Sequence, residues 1–547
     1  HTPSPPLYKM QGAARGRKKK GAFSMKKAMK KLMAALLAVA MVCAMAIPAF
    51  AVKGTETADI TGHSFNAYQI FTATVTEKND DQGKVSNVKW GTGVNSAALL
   101  TALQGDSTFA NAFASATTAT DVVKAMSGWS ATDEKTAAFA KIVAANLTTD
   151  CISTTNNSIH FDAAGYYLIV DTTDVSGKDD AANLTLLNVA EADSDVTVKS
   201  KVVKPTVDKF VWDNNDGAGK GTGDGSTGEG FYKTADHAIG ETFQFELVAN
   251  LPASKEYKNY STYEIKFHDT MSKGITYEKV DKVVIIDSNG SETAISDYTV
   301  AGITSGDEGE KSWTVTIADA KSYEVDLTKG ATIKVYYSAH LNKDAYVNNA
   351  SGDTTNQNTV SLEYSNNPNA GGTGKTPEET VYVFTYQINN TKYHDSDAAG
   401  NELKDAGFKL YTDSTCTHEF ALKKEGEFYI PTTGTGEEMK SAADGKFNIK
   451  GLDAGIYYLK ETSTPTGYNT CEPVEIKIVA SHSRNANELG HVDLDQSKNL
   501  NNKIINLSGT VLPSTGGIGT TIFYVVGGGL MVAAAILLIT KKRMENR

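Results

Sequence analysis

Beyond Thr206 the chain is written in short runs whose apolar and polar residues alternate strictly, and that period of two limits its folds most. Residues 311–317 (KSWTVTI), 332–338 (TIKVYYS) and 474–479 (VEIKIV) are examples. Successive side chains of a strand point to opposite faces, so such runs predict half-buried strands and exclude amphipathic helices. Val, Ile, Thr, Tyr and Phe fill the runs, and Gly, Asn and Asp bound them, which suits antiparallel sandwiches with one wet face. Residues 52–203 differ. Their Ala-rich segments 96–103 and 131–146 read as helices, while 166–171 and 196–202 read as strands. The expected fold is mainly β: tandem Ig-like β-sandwiches behind a mixed α/β first domain. Breaks near Lys204-Pro205 and in the turn-rich segment 367–380 divide it into domains at 52–203, 204–366 and 381–510, with 367–380 as a linker.

Both ends carry targeting features. Met25 opens a segment with four lysines, an apolar core from Leu32 to Pro48 and Ala49-Phe50-Ala51 as a small-x-small site, so a secretory signal over 25–51 is expected to be cleaved between Ala51 and Val52. Residues 1–24 lie upstream of that signal and are excluded from fold reasoning. At the other end, residues 517–540 carry no charge and are long enough to cross a ~30 Å hydrocarbon core as a helix. Lys541, Lys542 and Arg543 follow and hold the tail on the cytoplasmic side. Leu512-Pro513-Ser514-Thr515-Gly516 stands directly in front.

Between the two ends, residues 52–515 hold 39 basic against 63 acidic residues. That balance argues against nucleic acid and suits a soluble, self-repelling exterior. Of the four cysteines, Cys43 falls in the signal; Cys416 and Cys471 share a domain and form a candidate disulfide, which leaves Cys151 over. The glycine-rich block 216–230 lacks the Gly-Lys-Ser/Thr ending of a phosphate loop and reads as an inter-strand loop. The acidic loop at Asp395 has Ala399 and Ala406 where a calcium loop needs ligands. No HExxH, triad spacing or zinc-type Cys/His motif appears, so neither metal nor cofactor is expected.

The alternation also places polar groups on apolar faces. Lys209 lies in phase with Val207 and Val211, Asp269 with Tyr263, Ile265 and Phe267, and Asn358 with Val360, Leu362 and Tyr364. The third domain repeats the order: Lys392 after Tyr386 and Ile388, Glu461 after Tyr457 and Leu459, and Asn506 after Ile504. Burial disfavours charge, so it lowers a lysine pKa and raises an acid's. A neutral amine can attack an asparagine carboxamide and expel ammonia, with the acid as proton shuttle. The expected products are isopeptide bonds Lys209–Asn358 and Lys392–Asn506, with Asp269 and Glu461 as their acids. The first domain shows no such set, and no cross-link is expected there.

These residues carry a resemblance. Residues 457–468 (YYLKETSTPTGY) resemble the pilin E-box and depart from it only at Thr464, so Glu461 stands at the acid's place. KPTVDKFV, FHDTMSKGITY and NQNTVSLEYSNNP resemble the isopeptide-forming fimbrial domain around Lys209, Asp269 and Asn358. GHSFNAYQIF and NVKWGTGV are similar to the first domain of such subunits, and LPSTG with its tail resembles a cell-wall sorting signal. Taken together, the chain resembles the major backbone pilins of Gram-positive sortase-assembled pili.

The resemblance implies Cna-type sandwiches and a covalently anchored, non-enzymatic surface protein. It also implies sortase cleavage between Thr515 and Gly516, with the Thr515 carbonyl passed to a lysine of the next subunit. The segment 195–201 (DVTVKSK) is similar to the pilin motif that supplies this lysine and puts Lys201 in register, with Lys199 and Lys204 as alternatives; the motif's tryptophan is absent. Implied partners are a pilus-specific or housekeeping sortase, identical subunits, accessory pilins and peptidoglycan; no host ligand is implied. The alternative reading is a monomeric wall-anchored adhesin.

Overall fold

The structure is a computed structural model. It describes residues 62–545 except 79–81, 110, 131–132, 156–157, 190, 199–201, 215–220, 223–228, 308, 349–354, 483–491, 496–499 and 510–517, together with the backbone of Met45–Pro48. Lys199, Lys201, the expected signal cleavage point and the motif 512–516 lie outside the described residues, as does the signal apart from that short strand.

Among the described residues, strand content reaches 46% against 15% helix, so the mainly β expectation holds. In the first domain one antiparallel sheet runs in the order Gln82–Trp90, Phe65–Lys78, Gly165–Asp171, Leu184–Val189. Helices Ser96–Gly105, Ala119–Met126 and Glu134–Ala144 contribute Leu99, Val122 and Phe139 to a core shared with Phe71 and Tyr166 of the sheet. Ala119–Met126 is an addition to the expected helices. Its start is fixed by a capping box between Thr118 and Asp121, and it buries Val122, Val123 and Met126. An antiparallel pair of Ser158–Phe161 with Ser194–Thr197 ends the domain, with Val198 buried just after it.

Two sheets form the second domain. One runs Gly230–Tyr232, Thr206–Asp213, Thr242–Leu251, Ala331–Leu341, Ile275–Asp287, Glu292–Ala294. The facing sheet runs Thr234–Asp236, Glu379–Phe384, Asn356–Ser365, Ile265–Met271, Lys311–Ile317, Thr299–Ala301. Their inner faces interdigitate through Phe245, Leu247, Phe267, Trp313, Val335 and Leu362. Here the sequence division needs correcting. Residues 367–380 are not a free linker, because Thr373–Lys375 and Glu379–Phe384 both pair with Asn356–Ser365. The apolar run from Tyr382 to Lys392 is therefore two strands, and the chain passes into the third domain at Thr385, whose hydroxyl donates to the Leu452 carbonyl. Continuous alternation across that residue hides the break.

In the third domain, Leu422–Glu425, Phe428–Pro431, Ile449–Leu452, Tyr386–His394 and Asn501–Asn506 make one sheet. Glu419–Phe420, Gly407–Tyr411, Gly455–Ser463 and Val474–Ile478 make the other. Ile388, Phe408, Ile449, Leu459 and Ile504 fill the space between. The strand that begins this domain and the one that ends it lie side by side and parallel, with Lys392 opposite Ile504. Beyond it, helix Ile518–Glu545 contains a span, Tyr524–Met544, with mean hydropathy 1.8 and no buried surface. Its 21 residues reach about 30 Å at ~1.5 Å per residue.

Candidate functional site: buried amine, acid and amide sets

Strand Thr206–Asp213 buries every second residue, Val207, Lys209, Val211 and Asp213, so Lys209 points inward in phase with its apolar neighbours. The same phase turns Asp269 inward from Ile265–Met271 and Asn358 inward from Asn356–Ser365. Lys209 comes from one sheet, and Asp269 and Asn358 come from adjacent strands of the other. All three are buried, with Lys209 and Asn358 at 0% exposure.

The Lys209 ammonium donates to Asp269 and sits 5.2 Å from the Phe245 ring centroid. Burial pulls the Lys209 pKa down to about 8 and pushes that of Asp269 up, each against the pull of its partner. Asn358 is reached through a residue absent from the sequence reading. The Tyr337 hydroxyl lies 2.5 Å from Asn358 Nδ2, 3.2 Å from Lys209 Nζ and 3.1 Å from Asp269 Oδ1. Trp313 Nε1 donates to the same carboxylate oxygen at 3.1 Å, and Asn358 Oδ1 has no hydrogen-bond partner. Burial holds the Tyr337 hydroxyl far above the usual phenol range, so it is neutral. The signal for Tyr337 was its inward phase with Ile333 and Val335 in TIKVYYS: an aromatic with a polar tip at a core position must find a partner.

The third domain brings the same residue types together differently. Lys392 Nζ donates to Asn506 Oδ1 at 2.5 Å and to the Ile504 carbonyl at 3.3 Å. Asn506 Nδ2 donates to Glu461 Oε1 at 2.7 Å, while Glu461 Oε2 accepts the Cys471 backbone N–H at 2.8 Å. Lys392 and Asn506 are neighbours within one sheet, and Glu461 reaches across from the other. Burial lowers the Lys392 pKa. The E-box turn makes the Cys471 contact feasible. Gly467 adopts φ +94°, a left-handed conformation that suits glycine, and the chain folds back so that Asn469 N–H donates to the Leu507 carbonyl just beyond Asn506.

Each set puts an amine, a carboxyl group and a carboxamide together in a site closed to water. Nucleophilic attack of Nζ on the asparagine Cγ would break Cγ–Nδ2 and release ammonia, and the carboxyl group of each set would carry the amine's proton towards the leaving nitrogen.

The candidate disulfide is not formed, since Cys151, Cys416 and Cys471 are all free thiols. Cys416 lies by Tyr458 and Lys460 on the outward side of strand Gly455–Ser463, whereas Cys471 lies by Lys392 and Glu461 on its inward side. Opposite sides of a sheet cannot be bridged. Lys204 is half-exposed and held by the first domain, with Nζ 3.1 Å from the Asp179 carbonyl.

Comparison with known proteins agrees with this architecture. Residues 239–368 match the family model described as Gram-positive pilin backbone subunit 2, Cna-B-like domain. Residues 389–490 match a prealbumin-like fold domain, and 508–546 an LPXTG cell wall anchor motif. No curated protein matches the chain. Among solved structures, the T6 backbone pilin of Streptococcus pyogenes is similar at 15% identity and TM-score 0.45, over 83% of this chain and 98% of that one. The full-length major pilin SpaD of Corynebacterium diphtheriae is similar at 17% identity and TM-score 0.38, over 82% and 93%. A C-terminal fragment of the major pilin GBS80 of Streptococcus agalactiae is similar at 21% identity and TM-score 0.37, over 55% and 99%. The anchor motif and apolar helix indicate a cell-wall-anchored surface location after a transient membrane stage. By its matched domains, the chain carries a Gram-positive pilin-backbone domain over residues 239–368 and a cell wall anchor motif over residues 508–546.

Proposed function

We propose that the chain is the shaft subunit of a covalent pilus, joined head to tail by a sortase and stiffened by two isopeptide bonds of its own making. The Thr515 carbonyl of one copy is transferred to a lysine of the next, Lys201, with Lys199 and Lys204 as the alternatives. Such a head-to-tail contact does not close on itself and propagates as a filament. Within each subunit, Lys209 condenses with Asn358 and Lys392 with Asn506, each losing one ammonia, with Asp269 and Glu461 as proton carriers. This is single-turnover chemistry inside a structural protein, not enzymatic turnover.

The observation that carries the reading is the contact of Lys392 Nζ with the Asn506 carboxamide oxygen at 2.5 Å, in a site where the lysine is 0% exposed. An ammonium whose hydrogen bonds go to a neutral amide and a backbone carbonyl is costly to bury, and condensation removes that charge. The first bond would tie one sheet of the second domain to the other. The second would tie the first and last strands of the third domain, so pulling on the chain could not peel either strand away.

The test is the intact mass of the secreted chain, expected to fall two ammonia units short of the calculated value; the full calculated mass refutes the internal bonds. Polymerisation is tested separately. Wall extracts should show a high-mass ladder that Lys201→Ala abolishes, and a single band from the unaltered chain would favour the monomeric adhesin.

A further inference from the structure

We propose that His63 is a proton-operated latch on the loop that seats the first domain on the second. When protonated it holds residues 172–183 closed against the second domain, and its loss of a proton as pH rises loosens that seat. The loop joins strands Gly165–Asp171 and Leu184–Val189. It lies against the second domain as an added edge. Gly177 N–H donates to the Thr373 carbonyl at 2.8 Å, and Lys375 N–H to the Lys178 carbonyl at 3.1 Å. Gly374 admits this approach, because a Cβ there would meet the Lys178 carbonyl oxygen at 2.6 Å. Asn366, at 0% exposure, donates through Nδ2 to the carbonyls of Val175 (2.6 Å) and Asp180 (2.9 Å). Ala182 N–H donates to the Asn366 carbonyl at 2.8 Å.

His63 stands behind this loop, 3% exposed, and ties its beginning to its end. Nδ1 is 2.7 Å from Asp171 Oδ2, and Nε2 is 3.0 Å from Asp180 Oδ2. The remaining oxygen of each carboxylate accepts a backbone N–H, Asp171 Oδ1 from Thr173 and Asp180 Oδ1 from Ala181. A neutral imidazole has one N–H and one lone pair, so it can donate to only one of the two acids. Its lone pair would then face a carboxylate oxygen at hydrogen-bond distance, with little water to intervene. An imidazolium donates to both. The geometry therefore assigns protons to both ring nitrogens, and a cation closes the loop. Burial opposes that charge, but the two carboxylates outweigh it and raise the His63 pKa.

Among the described residues, Asp171 and Asp180 are the charged groups that face the ring. Phe65 packs beside it, with centroids 6.2 Å apart. Ser64 is tied to the start of the loop: its N–H donates to Thr173 Oγ1, and its carbonyl accepts the Thr172 N–H. The loop's other charges are engaged away from His63. Lys178 Nζ donates to the Asp174 carbonyl, and Asp179 meets the Tyr364 hydroxyl at 3.2 Å and Lys204 Nζ at 3.5 Å. Asn183, at the loop's end, donates to Glu256 of the second domain at 2.6 Å.

A histidine whose folded pKa is raised contributes stability that is full below its unfolded value, about 6.5, and is lost as pH rises through the folded value. The seat should therefore be firm in mild acid and looser in mild alkali. The latch uses no residue of the two proposed isopeptide sets, and it stands whether or not those bonds form.

The experiment is hydrogen exchange of the full secreted chain, read by peptide mass spectrometry from about pH 6 to about pH 9, each rate divided by the intrinsic rate at that pH. Protection of peptides carrying Gly177, Ala182 and Lys375 should fall about tenfold or more across the range, the worth of one charge-assisted hydrogen bond, while third-domain peptides keep theirs. His63→Gln keeps one donor and one acceptor but binds no proton, and should hold the low value at every pH. Asp180→Asn should move the fall to lower pH, since one of the two carboxylates that favour the cation is gone. Constant protection in the unaltered chain overturns the proposal and needs no variant to fold. An equal fall in third-domain peptides overturns it as well, and so does a fall of undiminished size in His63→Gln.

Discussion

The two Lys–acid–Asn sets use one residue order in sequence but opposite orders of contact in space. In the second domain the amine lies against the acid, and a tyrosine hydroxyl stands between both and the amide. In the third the amine lies against the amide, and the acid holds the amide's far side. The first arrangement favours moving a proton from lysine to carboxylate before attack. The second has the nucleophile at its target and the acid at the leaving nitrogen. The proposed condensation would demand only that three groups share a dry site, and the surrounding strands decide which pair meets first. In one case the set links facing sheets, and in the other adjacent strands.

The strongest way to break this comparison is to remove the acids. Asp269→Ala and Glu461→Ala should each restore one ammonia unit to the intact mass. Asp269→Ala should also cost more stability, by about 3–5 kcal/mol, because it strips Lys209 of its direct charge partner. Lys392 keeps its asparagine in Glu461→Ala. Thermal unfolding of the two variants measures the difference, and equal losses would mean the contact orders do not matter. Tyr337→Phe comes next. It should slow ammonia loss in the second domain about tenfold, the worth of one buried hydrogen bond, and leave the third domain's rate unchanged. Time-resolved mass spectrometry after refolding separates the two domains by peptide.

Much of this site was legible in the sequence because strand alternation is a strict code. A lysine, an acid and an amide in phase with Val, Ile and Tyr had to point inward, and Lys209, Asp269, Lys392, Glu461 and Asn506 do so. Alternation does not encode which strands face each other. Tyr337 went unnoticed for that reason: an inward tyrosine reads as ordinary core until the opposite sheet supplies its partners. The boundary at Thr385 was missed because two strands of different domains follow each other in one apolar rhythm.

A smaller effect separates the sets by pH. In Asn358→Ala, where the second-domain bond cannot form, Lys209 keeps a folded pKa of about 8 against ~10.4 in the unfolded chain. Between those values the unfolded state binds the extra proton, so stability should rise with pH across the window. Urea midpoints at the two ends of that window measure it, and a falling midpoint would show that Lys209 is not desolvated as described.

The smallest expected effect concerns Cys471, which sharpens the question of what holds each acid. Asp269 accepts hydrogen bonds from the side chains of Trp313 and Tyr337, whereas Glu461 accepts one from the Asn506 amide and one from a backbone N–H. Replacing Cys471 with alanine leaves that donor in place and removes only a thiol whose pKa burial pushes up to about 12. The third-domain bond should form at an unchanged rate, and the thermal midpoint should shift by no more than ~0.5 kcal/mol would produce. Treatment with a reductant should have no effect either, since Cys416 and Cys471 occupy opposite sides of their sheet. Trp313→Phe, by contrast, removes a side-chain donor from Asp269 and should slow the second-domain bond. If Cys471→Ala slows its domain as much as Trp313→Phe slows the other, the backbone is not what positions Glu461, and the thiol itself takes part.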